Sequence, residues 1–464
     1  MKKLFIQLSY SLLLITLILS SRGFSQTIPA FKPLRYDENY LFLQKDSSAD
    51  WYKKTKYSKL SKKGDVYISF GGDVRFQYFY FKNEAWGEAP QDNDGYILTR
   101  WLGHADFHVG KYFRTFVQLQ SSLANGLERS ASPVEENPLD LHQAFFDVML
   151  PLHNNQELIF RVGRQELTYG SQRLVAFREG PNNRQSFDAA RLIFSKKNLK
   201  TDLFYSHYVK SKEKIFDDGF NKNTKFWGGY AVINQVPVVK NIDFYYLGLW
   251  KSSATYDNGS GEETRHSIGS RIWNSRNNFH YDIEGLYQFG TLAEKRITAW
   301  TFSVNSGYKF NKARLKPDIG IKTELISGNK SYEGGQLQTF NPLFPRGSYF
   351  GLASIIGPSN LFDIHPSVSL DLTRKLFLNF DTDIFWRYSK NDGIYAPNAS
   401  LIYTGKTSSQ SFIGSQFSTD LVYIPNGFVN FRAEFTWFNT GPYLKDVGPG
   451  KDILFTCVTI QVKF

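Results

Sequence analysis

The sequence predicts an all-β chain, a transmembrane antiparallel β-barrel of about eighteen strands joined by short turns at one end and long loops at the other. Three observations predict it: an export-type N-terminus, apolar and polar residues alternating at period two from Val66 onward, and links between segments whose lengths sort by parity.

At the N-terminus, Lys2 and Lys3 precede the apolar run Leu12 to Leu19, and small residues follow around Gly23 and Ser25. That is the pattern of a secretory signal, expected over 1–25. Cleavage after Ser25 leaves Gln26 first, with no cysteine after it placed to take a lipid. No later stretch approaches the roughly 18–20 consecutive apolar residues that a membrane-crossing helix needs, and the mean hydropathy is −0.37. Yet aromatics make up 17% of the chain, recurring every second residue, a usage that suits sheet faces and membrane interfaces. Cys457 is the single cysteine, so no disulfide within the chain holds the fold, and its plain reading is a small buried residue. The net charge of +12 is dispersed along the segments without an arginine-rich run, and no nucleic-acid partner is expected.

In the first segment Ile68, Phe70, Val74, Phe76, Tyr78 and Tyr80 share one face, against Ser69, Asp73, Arg75 and Gln77 on the other. A later one repeats the scheme, with Leu376, Leu378, Phe380, Ile384, Trp386 and Tyr388 opposed to Asn379, Asp381, Asp383, Arg387 and Ser389. Charges along one whole face require water beside it. The strands expected are 66–81, 96–110, 112–122, 141–150, 157–166, 188–195, 200–209, 225–234 and 241–250, then 265–273, 278–289, 299–310, 314–325, 366–373, 376–389, 411–423, 428–438 and 451–463. Their number is even, as a single-chain barrel with both ends on one side requires.

The odd-numbered links are mostly long: 82–95, 123–140, 167–187, 210–224, 251–264, 326–365, 390–410 and 439–450. The even-numbered ones are mostly short, such as Asn274 to Asn277, Asn311 to Ala313, Arg374–Lys375 and Pro425–Asn426–Gly427. Outer-membrane barrels pair long outward loops with short periplasmic turns, so the N- and C-termini are expected in the periplasm. Region 26–65, lysine-rich from Lys53 to Lys63, is expected as an extended periplasmic lead-in with no fold of its own, and 66–464 as the barrel. The last strand alternates Leu454, Thr456, Val458, Ile460, Val462 and Phe464, an ending of the kind barrel-assembly machinery reads.

The inward set carries both signs: Arg75, Arg100, Arg114, Arg161, Arg191, Arg271, Arg387 and Arg432 against Asp73, Asp106, Asp147, Asp282, Glu284, Asp371, Asp381, Asp383 and Glu434. Such charges build cross-strand ladders that stiffen the wall, or line a polar channel where arginines in a low-dielectric tube favour anions. His104, Asp106 and His108 share a face, but residues four apart on a strand lie about 13 Å apart, too far for both histidines to hold one ion. Lumen lining is the reading kept for them, and neither metal nor cofactor is expected. In Arg161-Val-Gly-Arg-Gln165, Arg164 breaks the parity that Arg161 and Gln165 share, and a bulge or strand end near Gly163 would re-aim it. Arg173, Arg178 and Arg184 follow as a basic loop, either a patch at the pore mouth or a solvated surface. No nucleophile elbow, His-Glu-x-x-His pair or phosphate loop fits, and no enzyme is expected.

These residues carry a likeness. Phe70-Gly-Gly-Asp-Val-Arg75, Arg161-Val-Gly-Arg-Gln165 with Tyr169-Gly170 and Arg173-Leu174, and Asn183-Arg184 followed by Ser186-Phe187-Asp188 and Arg191-Leu192 resemble the alginate-export family of outer-membrane barrels. The resemblance implies a monomeric eighteen-stranded barrel in the outer-membrane lipid of a Gram-negative bacterium. Its arginine-lined lumen would pass an anionic solute or an anionic polysaccharide, such as alginate or its oligosaccharides. Carried onto this chain, the pore arginines are Arg75, Arg100, Arg114, Arg161 and Arg164, with Arg184 and Arg191 near the outer mouth. The exporter that names the family has a long periplasmic turn acting as a lid near its C-terminus, whereas Pro425–Gly427 here is short. The longest loop, 326–365, is the candidate to fold inward as a constriction. The alternatives are a surface-binding or adhesion barrel with a plugged lumen, and an outer-membrane hydrolase.

Overall fold

A computed structural model describes residues 31–46, 50–275 and 278–464; the expected signal over 1–25 lies outside them. Eighteen strands form the barrel: β1 Val66–Lys82, β2 Tyr96–Val109, β3 Phe113–Asn125, β4 Asn137–Pro151, β5 Gln156–Gln165 and β6 Phe187–Lys196. They continue as β7 Leu199–Lys210, β8 Gly219–Val236, β9 Lys240–Tyr256, β10 Gly259–Asn274, β11 Phe279–Leu292 and β12 Lys295–Lys309. The last six are β13 Asp318–Ile326, β14 Leu361–Asp371, β15 Leu376–Arg387, β16 Phe412–Tyr423, β17 Val429–Thr440 and β18 Ile453–Lys463. Each is antiparallel to its predecessor, and β18 returns to β1 with Asp73 opposite Lys463 and Lys82 opposite Leu454. Closure leaves no sheet edge, so every strand finds its backbone partners within the barrel, the condition for crossing lipid.

The period-two pattern places charge inside and apolar groups outside. Arg75, Arg100, Asp106, Gln118 and Asp147 are buried, while Phe70, Tyr78, Trp101, Val117 and Phe146 on the opposite faces are exposed. Turning these strands over would set arginines on the lipid face, at about 2–4 kcal/mol each near the bilayer centre.

The two ends differ as the parity pattern requires, with two exceptions. Residues 251–264 are not a loop: β9 and β10 keep pairing past Lys251–Glu263 to Tyr256–Gly259, around the turn Asp257–Asn258. Ser252, Ser253, Thr255, Ser260 and Glu262 lack apolar alternation because this hairpin rises above the belt, and Asp-Asn-Gly supplies the tight turn. The link between β11 and β12 is likewise the two-residue turn Ala293–Glu294.

The N-terminal segment is not extended. It forms 3-10 turns at Arg35–Asp37 and Leu41–Lys45, then a helix, α1, Trp51–Lys56, whose N-cap Asp50 accepts from Lys53 N. It enters the barrel at the end where β1 begins and β18 finishes, where Tyr52 packs near Phe428 of the short 424–428 turn.

Candidate functional site

The site is the lumen, and among the described residues the N-terminal segment, loop 166–186 and loop 327–360 enter it. The first seats Leu34 and Tyr36 against Phe116, Phe145 and Phe177, and Tyr36 Oη donates to the Glu166 carbonyl at 2.8 Å. Arg35 donates to the carbonyls of Gly72 and Phe464, each at 2.8 Å. The same two residues bond to each other through their backbones, N to O at 2.9 and 3.0 Å. Gly71 and Gly72 make room for this clasp. A Cβ at Gly71 would meet Lys56 Nζ and His104, and one at Gly72 would collide with the Leu102 carbonyl. Lys56 Nζ donates to the Phe70 carbonyl at 3.0 Å and lies over the Tyr40 ring. Burial, with Arg35 adding repulsion, pushes its ammonium down to about 7.

Loop 166–186 crosses the lumen because the wall offers arginines that need acceptors. Arg75 and Arg100 lie directly opposite each other on β1 and β2, a like-charge pair that is unfavourable alone. Arg75 donates to the carbonyls of Glu179 and Pro181 at 2.6 and 2.8 Å. Arg100 reaches the Glu179 carboxylate at 2.7 Å and Asp73 at 3.6 Å. Arg184 pairs with Glu166 at 2.9 Å and lies 3.6 Å from Glu179. Glu179 thus gathers three arginines, yet its side chain is 41% exposed while that of Arg100 is fully buried. The candidate residues missed that carboxylate, because a single glutamate in a loop carries no periodic signal.

The other arginines close into ladders. Arg114 holds Asp106 through two bonds of 2.7 Å, Arg161 holds Asp147 at 2.7 and 2.8 Å, and Arg191 holds Asp202. Arg161 also stacks over Tyr36 and Phe145 at 4.3 and 4.1 Å. Arg164 departs from the expected placement. The pairing runs unbroken through Gly163 on both sides, so Arg164 keeps the parity opposite to Arg161 and meets Asp188, its direct cross-strand neighbour, at 2.9 Å. Arg387 is inward but organises a loop: it donates to the carbonyls of Gln410, Lys390, Asp392 and Ser408 and covers the Tyr443 ring at 4.0 Å. Arg432 pairs with Glu434 at 2.7 Å and Asp420 at 3.4 Å, its side chain 40% exposed.

Loop 327–360 folds inward. Phe344 packs edge-on against Phe187 at 5.0 Å, and its backbone bonds Leu174 and Ala176, each at 2.9 Å, joining the two loops. The loop reaches the far wall, where Gln416 donates to the Phe350 carbonyl at 2.6 Å and Leu352 N to Glu434 at 3.0 Å. Arg173 pins both loops to β11–β13, binding Glu284 at 3.0 Å, Glu324 at 2.9 Å and Tyr349 Oη at 2.8 Å. Between the loops, at the long-loop end, lies a cavity of about 160 Å³ lined by Phe79, Tyr96, Arg129, Pro181 and Ser348. On the inner wall of β13 to β17, by contrast, Lys322, His365, Asp381 and Asp420 stay partly exposed.

A closed barrel of this strand number, apolar outside and charged within, defines an outer-membrane channel of the porin class. Solved structures similar to it agree in fold. Acinetobacter baumannii OccAB1 superimposes with a TM-score of 0.56 at 14% identity over 89% of this chain and 100% of that one. Pseudomonas aeruginosa OccK2 (OpdF), solved with glucuronate, gives 0.55 at 10% identity over 86% and 98%. Pseudomonas aeruginosa OpdK, solved with vanillate, gives 0.54 at 10% identity over 85% and 98%. No curated protein sequence matches the chain. The alginate export family matches residues 66–448, and the chain belongs to that family.

Proposed function

We propose that the protein is a constricted diffusion channel of the outer membrane for small anionic solutes of the uronate kind, working as a monomer with both termini in the periplasm. The carrying observation is Glu179, a half-exposed carboxylate seated on buried arginines. A solute carboxylate can exchange with it on Arg100 and Arg184 without leaving those guanidinium groups unpaired, and an unpaired buried charge is the costly state. The carboxylates glucuronate and vanillate bound by OccK2 and OpdK are ligands of the same chemistry. An alginate-type polymer would have to displace both inward loops, so single uronates or short oligomers suit this lumen better.

Planar-bilayer recording under a salt gradient tests the reading. Wild type is expected to prefer anions, and Glu179→Gln to prefer them more strongly, because one fixed negative charge leaves the path. A reversal potential favouring cations in both overturns it. The extent to which inserts fill the lumen favours a second reading, a surface-binding barrel with a plugged lumen, which predicts no conductance at all.

A further inference from the structure

One stretch of the inner wall carries carboxylates that, among the described residues, no lysine or arginine pairs with. His365 on β14 lies level with Asp383 on β15, between the rungs Ile364–Ile384 and Ser367–Asp381. Its Nδ1 is 2.6 Å from Asp383 Oδ1 and its Nε2 3.8 Å from Asp381 Oδ1. One ligand atom from each of the three falls within 4.8 Å of the others. The 2.6 Å contact lacks hydrogen-bond geometry, and it is an ion pair only when His365 is protonated; both atoms are buried. Asp383 is fully buried, touched through Oδ2 by Gln416 at 3.5 Å. Asp363, two residues before His365 on the same face, is also fully buried and has no hydrogen bond to either oxygen. The nearby cations are committed elsewhere, Lys322 to Glu324 at 2.6 Å and Arg432 to Glu434 at 2.7 Å.

Buried carboxylates are paired or coordinate metals. We propose that His365, Asp381 and Asp383 form a binding site for a divalent first-row transition-metal ion on the lumen wall, with Asp363 adding negative charge beside it. One imidazole nitrogen and two carboxylate oxygens make a borderline ligand set suited to zinc and its neighbours, whereas calcium and magnesium take oxygen ligands in larger number. A tetrahedral ion with bonds of about 2.1 Å sets its ligand atoms about 3.4 Å apart. His365 can give only one of its two nitrogens to an ion, and with one ligand atom from each residue the three lie within 4.8 Å of one another, so side-chain rotations towards that edge complete the geometry. The free coordination positions face the water-filled side, where the Asp381 and His365 side chains are 31% and 18% exposed. Sequence spacing hid the site because its ligands sit on two strands.

Calorimetric titration of the purified full-length, chelator-treated protein in detergent with Zn²⁺ tests the proposal. One saturable equivalent is expected, unaffected by millimolar Ca²⁺ or Mg²⁺ and weakened at least about tenfold in His365→Ala and in Asp383→Asn. Heat-modifiable electrophoretic mobility identifies folded variants. Zinc-edge absorption of the wild type needs no variant, and a nitrogen–oxygen shell with one imidazole is expected. Absence of saturable binding, affinity unchanged in both folded variants, equal competition by Ca²⁺, or a shell with several imidazoles overturns the proposal.

Discussion

Lys56 shows how a single residue sets the behaviour of the short-turn end. Its ammonium is fully buried against Tyr40 and the Phe70 carbonyl, with Arg35, Glu38, His104 and Asp106 around it. Docked, it titrates near 7; free, at its ordinary value near 10.4. The docked value is the depressed one, so docking releases a proton between these limits. Stabilisation is complete above the free value and lost as pH falls towards 7, by about 5 kcal/mol at most. A spin label at Lys54→Cys, in a Cys457→Ser background, should therefore become less mobile as pH rises from 7 to 10, and Lys56→Met should flatten the response. The arginines were legible because charge at period two on an otherwise apolar strand has one sensible direction. Arg164 was only half legible: its broken parity suggested a bulge or a strand end, and there is no bulge, since the strand ends at Gln165 and Asp188 directly across the rung pairs with it.

Among the elements, all eighteen strands were readable, since lipid outside and water inside impose opposite chemistry on alternate residues. The hairpin at 251–264 escaped because it leaves the lipid, and alternation ends where lipid does. The inward fold of loop 327–360 was suggested by its length alone. Its anchors, Phe344 in an aromatic cluster and Tyr349 on Arg173, are tertiary contacts without periodic signal. Replacing 339–356 by a short linker keeps Glu284 and Glu324 on Arg173, so no buried charge is stranded. Single-channel conductance is expected to rise several-fold in that variant, and an unchanged value would show that another insert sets the resistance.

For the molecule as a whole, the two entrances are unlike. One opens on the cavity between two tethered loops, the other on a helical segment that covers part of the lumen and leaves the β13–β17 wall wet. Charge is also unevenly spread, with ladders of arginine on β1 to β6 and excess carboxylate on β14 to β17. A channel built this way should rectify, passing unequal current at equal and opposite voltages. Deleting 32–65 should raise conductance and make the current–voltage curve more symmetric. The outer class of the protein was legible from three agreeing patterns. The degree of filling was not, since inserts pack through contacts far apart in sequence, such as Arg35 with Phe464.

That last contact also fixes an order of events. The acceptors of Arg35 are the carbonyls of Gly72 and Phe464, one on the first strand and one at the final residue. The latch cannot form until the last residue has arrived and the seam has zipped, whereas the contacts of Tyr36 with Phe116, Phe145 and Glu166 do not depend on the seam. Seating of Arg35 thus reports that the first and last strands have met, so the latch marks a finished seam.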